Sequence, residues 1–221
     1  MKTDTALQLD VQKAILWEPL LDEAEIGVTV KNGVVTLSGY VDNYVKKLEA
    51  ENATKRVIGV RALAENIKVK FASSFSRTDG EIADEVLVAL KRNWSIPSEK
   101  ISVKVEDGWV TLDGELTWNY QKEAAQHAVH YLVGVKGVDN NIRIKSGRND
   151  AIEKKDIEHA LKRSTIDDSN IKVSVSDNVV TLSGTVDSWY QKGEAGRITW
   201  NTPGVSHVKN DLDIDYEIDF S

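Results

Sequence analysis

Aromatic residues closely followed by lysine recur at three places in the chain. The three sets are Tyr44 with Lys47, Trp118 with Tyr120 and Lys122, and Trp189 with Tyr190 and Lys192. A protein that touches a lipid surface uses this chemistry, with rings at headgroup depth and ammonium groups beside the anions. Tyr and Trp rings also pack on their own sheet or between domains. The sequence therefore predicts either a lipid or partner surface or a packing contact at these residues.

Two histidines are the other candidates for chemistry. His127 and His130 are three positions apart, so on a helix they share a face, as two metal ligands do. No third ligand is evident beside them. We therefore expect two solvated or partly packed histidines and no metal site.

Acidic and apolar residues alternate in residues 211–219, from Asp211 to Asp219. This alternation is typical of an edge strand with a charged outer face. The carboxylates leave a weak cation site as the alternative.

Motifs of the common enzyme classes are absent from the sequence. It contains no phosphate-binding or dinucleotide-binding glycine loop, no zinc-protease helix and no nucleophile elbow. Cysteine is absent, which excludes disulfides and a thiolate nucleophile. The net charge of −7 argues against a protein that grips nucleic acid. We expect a non-enzymatic protein without a cofactor, and nothing singles out a carboxylate pair.

A five-residue sequence that occurs three times shows how the secondary-structure elements carrying these side chains are arranged. Val-Thr-Leu, then Ser or Asp, then Gly occurs at residues 35–39, 110–114 and 180–184. The flanking residues repeat at the same offsets, which is how tandem structural units appear in a sequence. The chain therefore contains three copies of one unit, with domains predicted at residues 1–72, 73–147 and 148–221.

The first half of each copy predicts a helix and a hairpin. Apolar spacing indicates helices over residues 6–17, 79–93 and 150–163, with Asp79 and Asp150 as N-caps. Period-2 alternation then begins at Ile26, Ile101 and Ile171, as in a half-buried strand. A tight turn leads to the repeated phrase as the second strand, and we expect its glycine to mark the strand's exit from the sheet.

The second half of each copy predicts another helix and a last strand. The helix is expected to be capped by Asp42, Thr117 or Asp187 and to stop at a glycine, which is Gly59, Gly134 or Gly204. The last strands contain residues 67–69, 142–144 and 212–214. The fold class is α+β: three tandem α-β-β-α-β units, each a small three-stranded sheet covered on one face by two helices.

The element order, the hairpin phrase and the capped helix together resemble the BON domain family, named for bacterial OsmY and nodulation proteins. Copy one has Leu63 where the usual ending has Val, and copy three has Asn178 in place of the turn glycine. The resemblance implies binding rather than catalysis, an association with osmotic stress, and contact with phospholipid surfaces or other envelope components.

Together these observations predict a stress-associated protein that recognises phospholipid headgroups as a peripheral membrane protein, or protein clients. The alternative is a sensor that binds a small ligand or cation in a groove between domains. The N-terminal residues lack the uninterrupted apolar region of a secretory signal. We therefore expect a cytoplasmic protein, or a periplasmic one if the chain is a trimmed mature form.

Overall fold

A computed structural model describes residues 2–21, 26–71, 77–145 and 154–215. The helices are α1 (Asp4–Leu16), α2 (Tyr44–Lys55), α3 (Asp79–Arg92), α4 (Asn119–His130), α5 (Lys154–Lys162) and α6 (Trp189–Trp200). The strands are β1 (Ile26–Lys31), β2 (Val34–Val41), β3 (Ala62–Val69), β4 (Ile101–Glu106), β5 (Trp109–Leu116), β6 (Gly137–Asn140), β7 (Arg143–Ile144), β8 (Ile171–Ser176), β9 (Val179–Val186) and β10 (His207–Ile214). The α+β class and the repeated α-β-β-α-β order are confirmed.

Each repeat builds one small mixed sheet around its hairpin. The sheet orders are β1-β2-β3, β4-β5-β6 and β10-β9-β8. The hairpins are antiparallel, and the last strand of the second and third repeats runs parallel to the central strand. In the second repeat this last strand is divided, because both β6 and β7 pair with β5. Of the alternating segment at residues 211–219, residues 211–214 form the end of the edge strand β10, Asp215 lies just after it, and residues 216–221 lie outside the described residues.

The hairpin turns have the positive φ angles that their sequences predict. Asn32 and Gly33 have φ of 53° and 76°, and Asp107 and Gly108 have 49° and 79°. The carboxylate of Asp79 accepts hydrogen bonds from both amides of the second turn, at 2.9 Å each. The prediction that Asp79 is the N-cap of α3 is therefore wrong. Asp79 instead links the helix to the hairpin turn, and Asp4 makes the same contact in the first repeat.

The helices are capped by residues next to the predicted ones. Thr78 caps α3 in a reciprocal pair with Glu81, whose carboxylate accepts from the Thr78 amide at 2.8 Å. The predicted second-helix caps Asp42, Thr117 and Asp187 are wrong by one position. An N-cap oxygen accepts from the backbone amide two or three residues later, and the side-chain oxygens of Asn43 and Ser188 accept from the third amide at 3.0 and 3.2 Å. The predicted cap Asp150 lies outside the described residues.

Two of the glycine interpretations also change. Gly39, Gly114 and Gly184 do not mark a strand exit, because β2, β5 and β9 continue for two residues beyond them. They lie opposite Ile26, Ile101 and Ile171 in the hairpin register. Gly59, Gly134 and Gly204 have positive φ, but the helices end four residues before them, so they belong to the turn that follows.

Each repeat buries its apolar residues between the sheet and its two helices. In the third repeat, Ile157 and Leu161 of α5, Leu182 of β9, Ala195 of α6 and Leu212 of β10 form one buried cluster. The chain forms two compact units, one drawn from residues 1–39, 48–67 and 148–221 and the other from residues 40–47 and 68–147. The predicted domain boundaries at residues 72/73 and 147/148 lie outside the described residues.

Candidate functional site

The predicted aromatic residues all lie at or beside the first turn of a second helix. Tyr44 is the first residue of α2 and is only 8% exposed. Its ring lies edge-on to the His130 imidazole at the end of α4, with ring centroids 5.4 Å apart. Tyr44 therefore makes a packing contact between the first and second repeats, which was the alternative to a lipid surface at this position.

The aromatic residues of the other two repeats are more exposed. Trp189 and Tyr190 begin α6 and are 40% and 41% exposed, and Tyr120 in the first turn of α4 is 50% exposed. Trp118 is partly buried, and its amide donates to the Gln121 side chain at 3.2 Å. The structure therefore presents Tyr120, Trp189 and Tyr190 to solvent while it buries Tyr44.

The three predicted lysines are partly engaged with the protein. Lys192 donates its ammonium group to the Leu212 carbonyl at 2.6 Å. Burial lowers the pKa of Lys122, because a charged ammonium group loses hydration there. The Lys47 ammonium lies 5.7 Å from the centroid of the Trp109 ring. A cation for a bound anion must therefore come partly from elsewhere, and Arg56 lies 5.7 Å from the Tyr190 ring.

His130 has an unusual environment for a polar side chain. Its Nε2 atom is buried and makes no hydrogen bond to the described residues. Burial, and secondarily the neighbouring His127, lowers the pKa of His130 to about 4. The two imidazole centroids are 5.7 Å apart, and no group of three metal-binding side chains occurs in the described part of the chain.

The low pKa of His130 predicts a loss of stability in mild acid. Between pH 6.5 and about 4 the unfolded chain binds a proton at His130 that the folded chain excludes, so stability falls as pH falls through this window. The side chain is only half-buried, so we expect a loss of about 1–2 kcal/mol after solvent screening. His130→Gln should remove this part of the pH dependence, measured by urea unfolding at pH 7 and pH 4.5.

His127→Gln is the matched control for that experiment. His127 lies on the same helix but is exposed, so its replacement should keep most of the pH dependence. Each variant lacks one imidazole of the pair and keeps all other titratable side chains, so the difference in pH dependence between the two variants isolates the contribution of His130. Equal pH dependence in wild type and His130→Gln would contradict the assignment.

The sequence patterns do not single out the most exposed aromatic residues. Trp94 is 95% exposed, Trp17 is 83% exposed and Tyr131 is 70% exposed. The predicted helix over residues 6–17 includes Trp17, but α1 ends at Leu16. Trp17 also falls two residues after Ile15 and therefore outside the buried face of Leu7, Val11 and Ile15. That offset was the available signal for Trp17.

Two clefts in the described part of the chain are also candidate binding sites. One, of about 410 Å³, lies between α5 and the end of α6 and is lined by residues that include His159, Arg163, Arg197 and Asn201. The other, of about 560 Å³, lies where the end of β3 meets the second repeat, with Phe71, Arg77 and Lys136 in its wall. The Asp79 carboxylate that also lines this second cleft is already bound to turn amides.

Comparison with known proteins places the chain in a family. The BON domain model matches residues 3–70, 78–146 and 149–216. The chain is 28% identical over 146 residues to the osmotically-inducible protein Y of Escherichia coli (strain K12), which covers 64% of this chain and 73% of that protein. No helix in the described part of the chain is long and apolar enough to cross a bilayer.

Solved structures give only distant similarity. The C-terminal domain of CdsD, a structural protein of the type III secretion system of Chlamydia trachomatis, is 19% identical, with 97% of this chain and 100% of that chain covered and a TM-score of 0.26. The PrgH periplasmic domain is 10% identical, with 86% and 95% covered and a TM-score of 0.23. Scores this low carry no argument. The three matches to the BON domain model together cover most of the chain, and the chain belongs to the BON domain family.

Proposed function

We propose that this protein is a non-enzymatic binding protein of the osmotic stress response that attaches peripherally to phospholipid surfaces through Trp189 and Tyr190. The observation that carries the proposal is the adjacent pair of half-exposed rings at the start of α6. Similarity to an osmotically-inducible protein supports the link to osmotic stress.

The local chemistry of this pair suits the interface between water and lipid. Trp and Tyr combine an apolar body with a polar edge, so they partition to headgroup depth. The first turn of α6 adds a partial positive charge, and the Arg56 guanidinium lies beside the Tyr190 ring. An anionic headgroup placed at these rings therefore meets a cation and a favourable helix dipole.

The net charge of the whole chain opposes this attraction. At −7, the protein is repelled by an anionic leaflet at long range, and the local cation must act within about one Debye length. We therefore expect weak, reversible binding. It should depend on the rings more than on salt.

Replacing both rings should weaken vesicle binding. The exposed parts of Trp189 and Tyr190 amount to roughly 60–100 Å² each, which predicts a loss of about tenfold or more in affinity for the Trp189→Ala, Tyr190→Ala double variant. Co-sedimentation with vesicles of phosphatidylcholine and increasing phosphatidylglycerol measures the affinity. Urea unfolding of the same variant checks that the fold is retained.

Tyr131→Ala is the matched control, because this ring is 70% exposed but lies just after the end of α4. It should bind vesicles as the wild type does. Equal binding by the double variant and the wild type, or no binding by the wild type at any lipid composition, overturns the lipid proposal. The latter result would favour protein clients as the ligands.

A further inference from the structure

The hairpin turn of the first repeat contains a dipeptide that occurs nowhere else in the sequence. Asn32 is the one asparagine that a glycine follows, and the equivalent turn residue of the other two repeats is an aspartate, Asp107 or Asp177. Asparagine is a thermolabile residue, and a following glycine favours its deamidation because glycine leaves the backbone free to rotate and has no side chain to block the reaction. The turn of the first repeat therefore differs from the other two in its chemical reactivity.

The three turn residues share one backbone conformation. Their φ angles are 53° at Asn32, 49° at Asp107 and 53° at Asp177, all in the left-handed region that asparagine and aspartate tolerate. Aspartate therefore fits this position of the turn. Asn32 is also exposed, so water reaches it.

The turn is a point where several parts of the first repeat meet. Asp4, the first residue of α1, accepts hydrogen bonds from the amide of Asn32 at 2.8 Å and from the amide of Gly33 at 3.1 Å. The carbonyl of Gly33 accepts from the amide of Arg61, just before β3, at 2.9 Å. The turn also joins β1 to β2. A change in the main chain at this turn therefore acts on α1, on the hairpin and on the entry to β3.

We propose that Asn32 is a site of spontaneous covalent modification, at which deamidation is restrained by the hydrogen bonds from the turn to Asp4. The backbone nitrogen of Gly33 gives its proton to water and forms a bond to the side-chain carbonyl carbon of Asn32. The bond from that carbon to the side-chain nitrogen breaks, and this nitrogen takes up a proton and leaves as ammonia. Water then opens the resulting cyclic imide. Opening at the side-chain carbonyl gives aspartate, and opening at the main-chain carbonyl gives isoaspartate.

Asp4 slows this reaction in the folded protein for two reasons. The Gly33 nitrogen must lose its proton before it attacks, and a carboxylate that accepts this proton's hydrogen bond favours the protonated nitrogen and opposes a second negative charge beside it. The two hydrogen bonds also hold the backbone on both sides of the peptide that joins Asn32 to Gly33. This peptide must rotate toward the side chain for the ring to form, so the reaction requires local opening of the turn.

The two products have different consequences for the first repeat. Aspartate keeps the length of the main chain, and Asp107 occupies the same position in the second repeat. Isoaspartate inserts an additional carbon into the main chain between β1 and β2, where the turn geometry fixes the register of the hairpin. It therefore displaces Gly33 from Asp4 and Arg61. We expect aspartate to be tolerated and isoaspartate to destabilise the first repeat.

Ageing of the full chain at neutral pH, followed by peptide mass spectrometry, tests the proposal. Asn32 should be converted faster than any other asparagine and should give both products. Asp4→Ala should convert Asn32 about three- to tenfold faster than the wild type, because the turn loses two hydrogen bonds to a charged acceptor. Conversion of Asn32 is read relative to that of the other asparagines, since general unfolding would accelerate all of them.

Asp10→Ala is the matched control. It removes a carboxylate from the same helix, but this carboxylate pairs with Lys2 at 2.7 Å and not with the turn. Asn32 should be converted in this variant at the wild-type rate. Faster conversion of another asparagine in the wild type, or conversion of Asn32 that is equal or slower in Asp4→Ala than in the wild type, overturns the proposal.

Urea unfolding separates the effects of the two products. Asn32→Asp contains one product from the start and should unfold at the wild-type midpoint. Aged wild type should lose stability in proportion to its isoaspartate content, and aged Asn32→Asp should lose less, because aspartate forms the imide more slowly than asparagine does. A midpoint that does not fall as isoaspartate accumulates would overturn the structural role assigned to this turn.

Discussion

Gly184→Ala should destabilise the protein by about 3 kcal/mol or more. Gly184 has φ of 113°, a conformation that residues with a Cβ atom rarely adopt, which alone costs about 1–3 kcal/mol. A Cβ atom at this position would also overlap the backbone oxygen of Asn170, and a backbone atom cannot move aside as a flexible side chain can. The hairpin β8-β9 must shift or open to admit the methyl group.

Gly193→Ala supplies the control in the same repeat. Gly193 lies within α6, and a Cβ atom added there has no neighbour within 4 Å. Alanine favours a helix interior over glycine, so this variant should gain up to about 1 kcal/mol. Urea unfolding compares both variants with the wild type. A Gly184→Ala variant within about 0.5 kcal/mol of the wild type would show that the close approach of the chain at Asn170 is not required.

Element order was predictable because it depends on local periodicity. The alternation that begins at Ile26 and the helical spacing of Ile82, Val86 and Leu90 each report a buried face within a few residues of chain. Repetition strengthens each of these signals, because three copies with different surfaces retain the same buried positions. The hairpin turns were also local, since Asn32-Gly33 and Asp107-Gly108 carry the positive φ angles themselves.

Contacts across distance were not predictable in this way. Asp79 has the composition of a cap, but its carboxylate is taken by the turn amides 28 and 29 residues later. Thr78 then supplies the cap. When a side chain can form hydrogen bonds with a local or with a distant backbone amide, the sequence alone does not show which bond forms, because the position of the distant amide depends on the tertiary fold.

The candidate site was predictable in position but not in exposure. Tyr44 and Trp189 align at the first residue of a second helix, yet Tyr44 is buried and Trp189 is 40% exposed. The difference comes from the neighbouring repeat, because His130 covers the Tyr44 ring. Sequence alignment of the repeats identifies equivalent residues, whereas burial depends on which repeat lies beside each of them.

Leu182→Ala is the second substitution with a large expected effect, of about 3 kcal/mol. Leu182 is fully buried in the cluster that joins β9 to α5, α6 and β10. Removal of a buried leucine loses its transfer free energy and leaves a cavity, which together cost 2–5 kcal/mol in well-packed cores. Urea unfolding of the full chain measures the loss, and amide hydrogen exchange should show reduced protection in β9 and β10.

Ser183→Ala is the control beside it, because Ser183 is exposed and its place is taken by Asp113 in the second repeat. Its replacement should change stability by less than about 0.5 kcal/mol. A cost below about 1 kcal/mol for Leu182→Ala would mean that the core collapses to fill the cavity. If these two results and the Gly184→Ala result are as expected, two structural requirements explain the repeated five-residue sequence. Its leucine is needed in the buried core, and its glycine is needed where the backbone of the neighbouring strand approaches closely.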